Sequence, residues 1–245
     1  MKGGAAWEGL ASAFRREQFK PTLILAVAPV LMIAWKYFAD PKFLAETMPA
    51  AWVLWDDRPA SGAVYSFLAG FLGLGLVPAV LVRFVFRERL ADYGVQIGNR
   101  IRTARAILVL CPAFVFAGYV ASTDPAIRAC YPINPGSGKS PEMFAIHAVA
   151  YLMFYLGWEF QFRGFLQFGL RERLGDVNAL LVQVLASGLL HIGRPASETF
   201  LSLLAGALWG VLAYRTRSLL AGLAQHYLLG ISLDWFLVGS FSRGG

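Results

Sequence analysis

The sequence predicts an all-α, polytopic membrane protein, a bundle of seven or eight transmembrane helices. Three observations carry this. Hydrophobic residues fill 57% of the 245 positions and charged residues 15%, with a mean hydropathy of +0.55. That is too little polar material to clothe a soluble domain of this length. The apolar residues are gathered into runs close to the ~20 residues that cross a bilayer. The segments between the runs alternate between basic and non-basic, as loops on two sides of a membrane do.

In order along the chain, residues 1–20 read as an amphipathic cytoplasmic N-terminal segment. The stretch "MKGGAAWEGLASAFRREQFK" has charges on both sides of a weakly amphipathic run and lacks the apolar core and small-residue cleavage site of a signal peptide. Spans are expected at Pro21 to Phe38, Ala63 to Phe86 and Ala104 to Ser122. These make up the N-terminal transmembrane part, residues 21–140. Further spans are expected from Pro141 through Phe162, Val177 to Ile192, Ser197 to Tyr214 and Leu219 to Phe241, forming a core over 141–241. The fifth and sixth are short, which calls for tilt or local thinning. Basic segments follow the second, fourth and sixth runs ("RERLADYGVQIGNRIRTAR", "RERLGD", "RTRS"), so the N-terminus is placed in the cytoplasm and the C-terminus outside. The expected location is the cell membrane, inner or plasma.

The net charge of +7 belongs to these loop ends, and without a basic–aromatic platform it does not point to nucleic acid. Cys111 and Cys130 have no metal-ligand spacing, and no disulfide is expected between them. The partners expected are the lipid bilayer and a protein or peptide substrate; oligomeric state is open.

Ionisable residues inside spans are costly and usually face the bundle interior. "YLGWEFQFRG" places Glu159 and Arg163 at i and i+4, on one helix face, with Tyr155 a turn earlier. His191 closes the fifth run, His226 and Asp234 lie inside the seventh, and His147 lies in the fourth. The turn between the fourth and fifth helices falls at Gly175-Asp176. Glu159 and His191 lie roughly 16 residues, or ~24 Å, to either side of it, so a helical hairpin puts them at one depth. His226, roughly 15 Å into its helix, matches that depth less well.

Such a set can hydrolyse a peptide bond. A carboxylate takes a proton from water, and a histidine shares that role or polarises a carbonyl. A second histidine donates to the oxyanion. Glu159, His191 and His226 could instead ligate a divalent metal such as zinc. Either no cofactor or such a metal fits. Structural readings stand beside these. Glu159 and Arg163 form a self-neutralising buried pair, and His147 is a satisfied interior histidine. Gly206 and Gly210 form a small-xxx-small packing face.

"WEFQFRG", "SGLLHIGRPASE" and "GALWGVLAYRTRSLLAGLAQH" resemble the CPBP superfamily. These are the CAAX prenyl endopeptidase and bacteriocin-processing-like intramembrane proteases, also labelled the abortive-infection family. The likeness runs from about Glu142 to Asp234, with "LADYGVQIGN" and Tyr131-Pro132 similar to what precedes that core in bacterial members. Arg163 matches the arginine of the first motif and Glu159 its second glutamate, while Trp158 stands at the first glutamate. His191 and His226 match the histidines of the second and third motifs. Ser187 and Gly230 stand where phenylalanine and asparagine are usual. The resemblance implies an intramembrane endopeptidase with Glu159, His191 and His226 catalytic, and Arg163 holding Glu159. Glu198, Asp234 or Arg194 would supply the groups that the motif has lost, with Asp234 orienting His226 or replacing the asparagine's role. The alternative it implies is a catalytically inactive scaffold or immunity protein that binds a membrane partner. A small transporter is a third reading, without the inverted repeat that would support it.

Overall fold

A computed structural model describes residues 16–239. The expected amphipathic segment lies almost wholly outside these residues. The described chain is helical throughout. Helix α1 spans Arg16–Phe38 and a short α2 spans Pro41–Thr47. Helix α3 runs over Arg58–Val85 and α4 over Arg100–Ala121. A single turn, α5, covers Pro125–Arg128. Helix α6, Pro141–Glu159, passes without a break into wider π-type turns at Phe160–Phe168 and then into α7, Gly169–Leu189. Helix α8 is Ala196–Thr216 and α9 is Leu220–Val238.

Five stretches are long and apolar enough to cross a membrane: Glu17–Phe38, Arg58–Val85, Arg100–Ala121, Pro141–Leu189 and Ala196–Thr216. The fourth of these is 49 residues long and reverses at Gly175, whose φ of 76° and ψ of 163° break the helix. It is therefore the hairpin of the fourth and fifth spans, turning where the sequence places the turn. Helix α9 has the length of a span but carries Gln225, His226 and Asp234 inward, and it packs closely along α4. The seven apolar runs are thus seven helical rods among the described residues, and the chain is a polytopic helical bundle.

Caps start three of the rods. Asp57 accepts from the amide of Ala60, Asn99 from Arg102 and Ser140 from Met143, satisfying amides that have no partner within the helix. The outside of the bundle is apolar: Leu108, Val109, Phe200 and Leu204 are each about two-thirds exposed or more, as suits a surface solvated by lipid. Without a hydrophobic drive between helices in lipid, close backbone approach holds the rods together. Gly157 of α6 meets Gly70 and Gly75 of α3, where an added Cβ would come within 2.7 Å of the Gly70 carbonyl oxygen.

Contacts between loops sort them into two ends. At one end Lys20 pairs with Glu88 at 2.9 Å and Glu172 at 3.1 Å, Tyr93 bonds Glu88, and the Asn99 amide donates to the Thr216 carbonyl at 2.7 Å. These groups come from the N-terminal end of α1 and from the segments after the second, fourth and sixth runs, the basic set in the sequence. At the other end Lys139 pairs with Asp57 at 2.7 Å, and Tyr131 bonds Glu198 at 2.7 Å.

Candidate functional site

The polar interior is built on α6, its π-type extension, α7 and α9. Glu159 is 1% exposed and Arg163 equally so. Arg163 Nη1 lies 3.3 Å from Glu159 Oε1, the pairing expected from their spacing. The same carboxylate oxygen lies 2.8 Å from His226 Nδ1. An ionised carboxylate only accepts, so Nδ1 carries the proton and Nε2 keeps its lone pair. Trp209 stacks on the His226 ring at 4.1 Å, and Tyr155 meets it edge-on at 4.4 Å. The guanidinium of Arg163 lies over the Trp209 ring at 5.4 Å, a cation–π contact that helps carry a buried charge.

His191 sits in the loop between α7 and α8. Its Nδ1 lies 2.8 Å from the carbonyl oxygen of Ser187, an acceptor, so this imidazole also keeps an Nε2 lone pair. Trp158 stands between the two histidines, its ring 5.7 Å from His191 and 6.5 Å from His226. The hairpin argument is met to that extent, since Trp158 next to Glu159 reaches His191. Glu159 itself bonds His226, the residue whose depth counted along its own helix matched less well. Tilted helices do not share a depth scale along their axes.

Both histidines face a cavity of about 810 Å³, whose wall also holds Tyr155, Trp158, Arg163 and Glu198. Glu159 lies behind that wall. Its Oε2 has no hydrogen-bond partner and is covered by Gly222, where an added Cβ would come within 3.2 Å of it. Glu198 is a carboxylate in the wall itself. Its Oε1 accepts from Tyr131, and its buried Oε2 has no partner. Burial pushes the Tyr131 phenol well above its ordinary range, so this donor stays protonated. Arg194 lies over the Tyr131 ring at 5.0 Å. Glu198 acts electrostatically on both His191 and Arg194. The outer part of the cavity is lined by apolar side chains that are themselves exposed, Phe116, Leu201 and Leu204, so it faces the hydrocarbon region.

Asp234 does not orient His226. Its Oδ2 lies 2.9 Å from His147 Nε2, and both residues are fully buried. The reason is the antiparallel pairing of α6 and α9. His226 lies beside Glu159, Gly230 beside Tyr155 and Asp234 beside His147. His147 is thus an interior histidine, as the sequence suggested, but only half satisfied: Nε2 pairs with Asp234 and the buried Nδ1 has no partner. Gly206 and Gly210 of α8 do more than pack. Gln183 donates to the Gly206 carbonyl at 2.9 Å and Gln167 to the Gly210 carbonyl at 2.8 Å. An added Cβ on Gly210 would lie 2.6 Å from Gln167 Oε1. Tyr131 and Trp209 complete the site unannounced, although "YP" and "GALWG" marked their neighbourhoods.

Among the described residues no group of three His, Cys, Asp or Glu side chains comes together as a metal-holding set, so Glu159, His191 and His226 do not form one. Oε1 of Glu159 accepts from His226 Nδ1 instead.

The family model described as Type II CAAX prenyl endopeptidase Rce1-like matches residues 140–231. No curated protein and no solved structure matches. The match takes in Glu159, Arg163, His191, Glu198 and His226. The chain is a multi-pass membrane protein whose residues 140–231 are similar to the type II CAAX prenyl endopeptidase Rce1-like family.

Proposed function

We propose that the protein is an intramembrane endopeptidase, hydrolysing a peptide bond in a segment that enters the cavity from the bilayer. The observation that carries this reading is the pair of imidazoles lining one cavity, each held at Nδ1 with Nε2 left over. A water between His191 and Glu198 loses a proton to the free Oε2 of Glu198 while its oxygen bonds to the carbonyl carbon. As the carbon–nitrogen bond breaks, a proton reaches the leaving nitrogen through His226. One water is consumed, and a carboxyl and an amine result. Glu159 steadies His226 through Nδ1 as it becomes positively charged, and Arg163 holds Glu159 in place. In this reading Glu159 is a positioning residue, and Glu198 takes the water-activating role. Asp234 has no part in it. The metal alternative has less support, because the three residues expected to ligate are not gathered.

One observation favours a second reading, a non-catalytic scaffold or immunity protein. Trp158 fills the position where the resembled family has a glutamate, and its indole covers the wall between the histidines. New protein termini in membranes separate the two. Membranes carrying the wild-type chain are compared with membranes carrying His226→Ala and Glu198→Gln at matched abundance. Termini present with wild type and lost in both variants support the endopeptidase. Identical termini in all three sink it and leave the scaffold.

A further inference from the structure

The hydrolysis proposed above, on which this inference rests, needs a donor for the carbonyl oxygen as it takes up negative charge. The histidines do not meet this need, because each has its proton on Nδ1, turned to Ser187 or Glu159. Besides Tyr131, whose hydroxyl donates to Glu198, the cavity wall holds two phenols, Tyr151 and Tyr155. Their hydroxyl oxygens lie 2.9 Å apart, with Tyr155 donating to Tyr151. Two phenols carry two protons, and one hydrogen bond between them uses one. The pair therefore holds one proton more than it spends internally.

The position of Tyr155 says where that proton can go. Its ring meets the edge of His226 at 4.4 Å. Its hydroxyl stands over Gly230, one helical turn after His226 on the same face of α9, where an added Cβ would come within 2.1 Å of the oxygen. Any side chain at residue 230 would have to occupy that space. The absence of one lets the phenol sit beside the imidazole. We infer that Tyr155 is a catalytic residue that donates a hydrogen bond to the scissile carbonyl oxygen, with Tyr151 donating to Tyr155 behind it. Rotation of the two hydroxyls turns the resting bond into this chain: the Tyr151 O–H turns to donate to the Tyr155 oxygen, and the Tyr155 O–H turns to the carbonyl. No covalent bond breaks, and each bond in the chain strengthens the next.

The test uses the full chain in native membranes and the cleaved sequence that the terminal comparison identifies, offered as a synthetic peptide. Tyr155→Phe keeps the ring and removes only the hydroxyl. It is expected to lower kcat by ~10²–10³-fold, the range for loss of one such donor, with KM little changed. Tyr151→Phe should cost less, ~10-fold, because Tyr155 keeps its own proton. Gly230→Ala should push the hydroxyl aside and lower kcat as well. Combined with Tyr155→Phe, it should cost no more than Tyr155→Phe alone. Wild-type kcat in Tyr155→Phe, with cleavage still lost in His226→Ala, overturns this inference and leaves the endopeptidase standing. A loss in Tyr155→Phe that falls wholly on KM also overturns it. No wild-type-dependent cleavage at all overturns both.

Discussion

Replacing Arg163 with methionine isolates the buried ion pair. Arg163 and Glu159 are each 1% exposed, and Nη1 lies 3.3 Å from Oε1. At an effective dielectric near 20, that separation corresponds to about 5 kcal/mol of attraction. Removing one partner of a buried pair costs about 3–5 kcal/mol, because the remaining charge stays buried without compensation. Glu159 would keep only His226 Nδ1 on Oε1, with Oε2 still unpartnered under Gly222. For a chain of this size the loss corresponds to a midpoint about 6–20 °C lower. The assay is thermal unfolding in detergent followed by tryptophan emission, which Trp209 reports directly from beside the guanidinium. Arg163→Met with Glu159→Gln should recover part of the loss, since no charge is then left unpaired. A drop under about 2 °C for Arg163→Met, or a double variant as unstable as the two single losses added, would refute the buried-pair argument.

Two further outcomes follow from pairs outside the cavity. Asp234→Asn should lower stability by about 1–3 kcal/mol, since it weakens the bond to His147 in a fully buried site. In a double-mutant cycle with His147→Ala the losses should fall short of additivity, and full additivity would mean that the pair is not coupled. Asp57 gives a pH signature. Burial opposes its charged form, but the bond from Lys139 and the amide of Ala60 outweigh it, so its pKa in the folded protein is lowered from 3.8. Its stabilising contribution is therefore complete above pH 3.8 and is lost as pH falls through the lowered folded value. Unfolding midpoints followed downward from neutral pH should fall more steeply in wild type than in Lys139→Met. Parallel curves would show that the pair contributes nothing.

What the sequence made legible was local. The i,i+4 spacing put Glu159 against Arg163, and "RERLGD" put a reversal at Gly175, because a glycine tolerates the positive φ that ends a helix there. The alternation of basic loops separated the two ends of the bundle. What stayed hidden depends on which helices face each other. His147 and Asp234 are 87 residues apart and meet only because α6 and α9 run antiparallel. From the sequence, Asp234 belonged to His226 on its own helix. Tyr131, in a loop, meets Glu198 in the first turn of α8 across 67 residues of sequence, and a loop has no periodicity to read. The π-type turns over Phe160–Phe168 were also unreadable, since a stretch of alternating aromatic and polar residues has no pattern that separates a wider helix from an ordinary one.

Trp158 ties these strands together. Its ring touches Trp35 at 5.7 Å, Phe154 at 5.5 Å and Phe162 at 4.7 Å, besides both histidines. It is 5% exposed and belongs to the aromatic packing that joins α1 to α6. A carboxylate there would lose that packing and stand buried among rings, where an uncompensated charge is costly. The neighbouring Glu159 lies behind the cavity wall, its Oε1 paired with Arg163 and His226 and its Oε2 covered by Gly222. In the proposed hydrolysis the carboxylate that serves the water is Glu198, which lines the cavity, with Oε1 accepting from Tyr131 and the buried Oε2 without a partner. The acid–base equipment of the cavity is thus divided between two walls. His226 with Glu159 stands on the α6–α9 side, and His191, in the loop that joins α7 to α8, stands with Glu198 of the first turn of α8. A peptide bond lying between them would meet a base on one face and a proton carrier on the other, which is the arrangement that hydrolysis by added water requires.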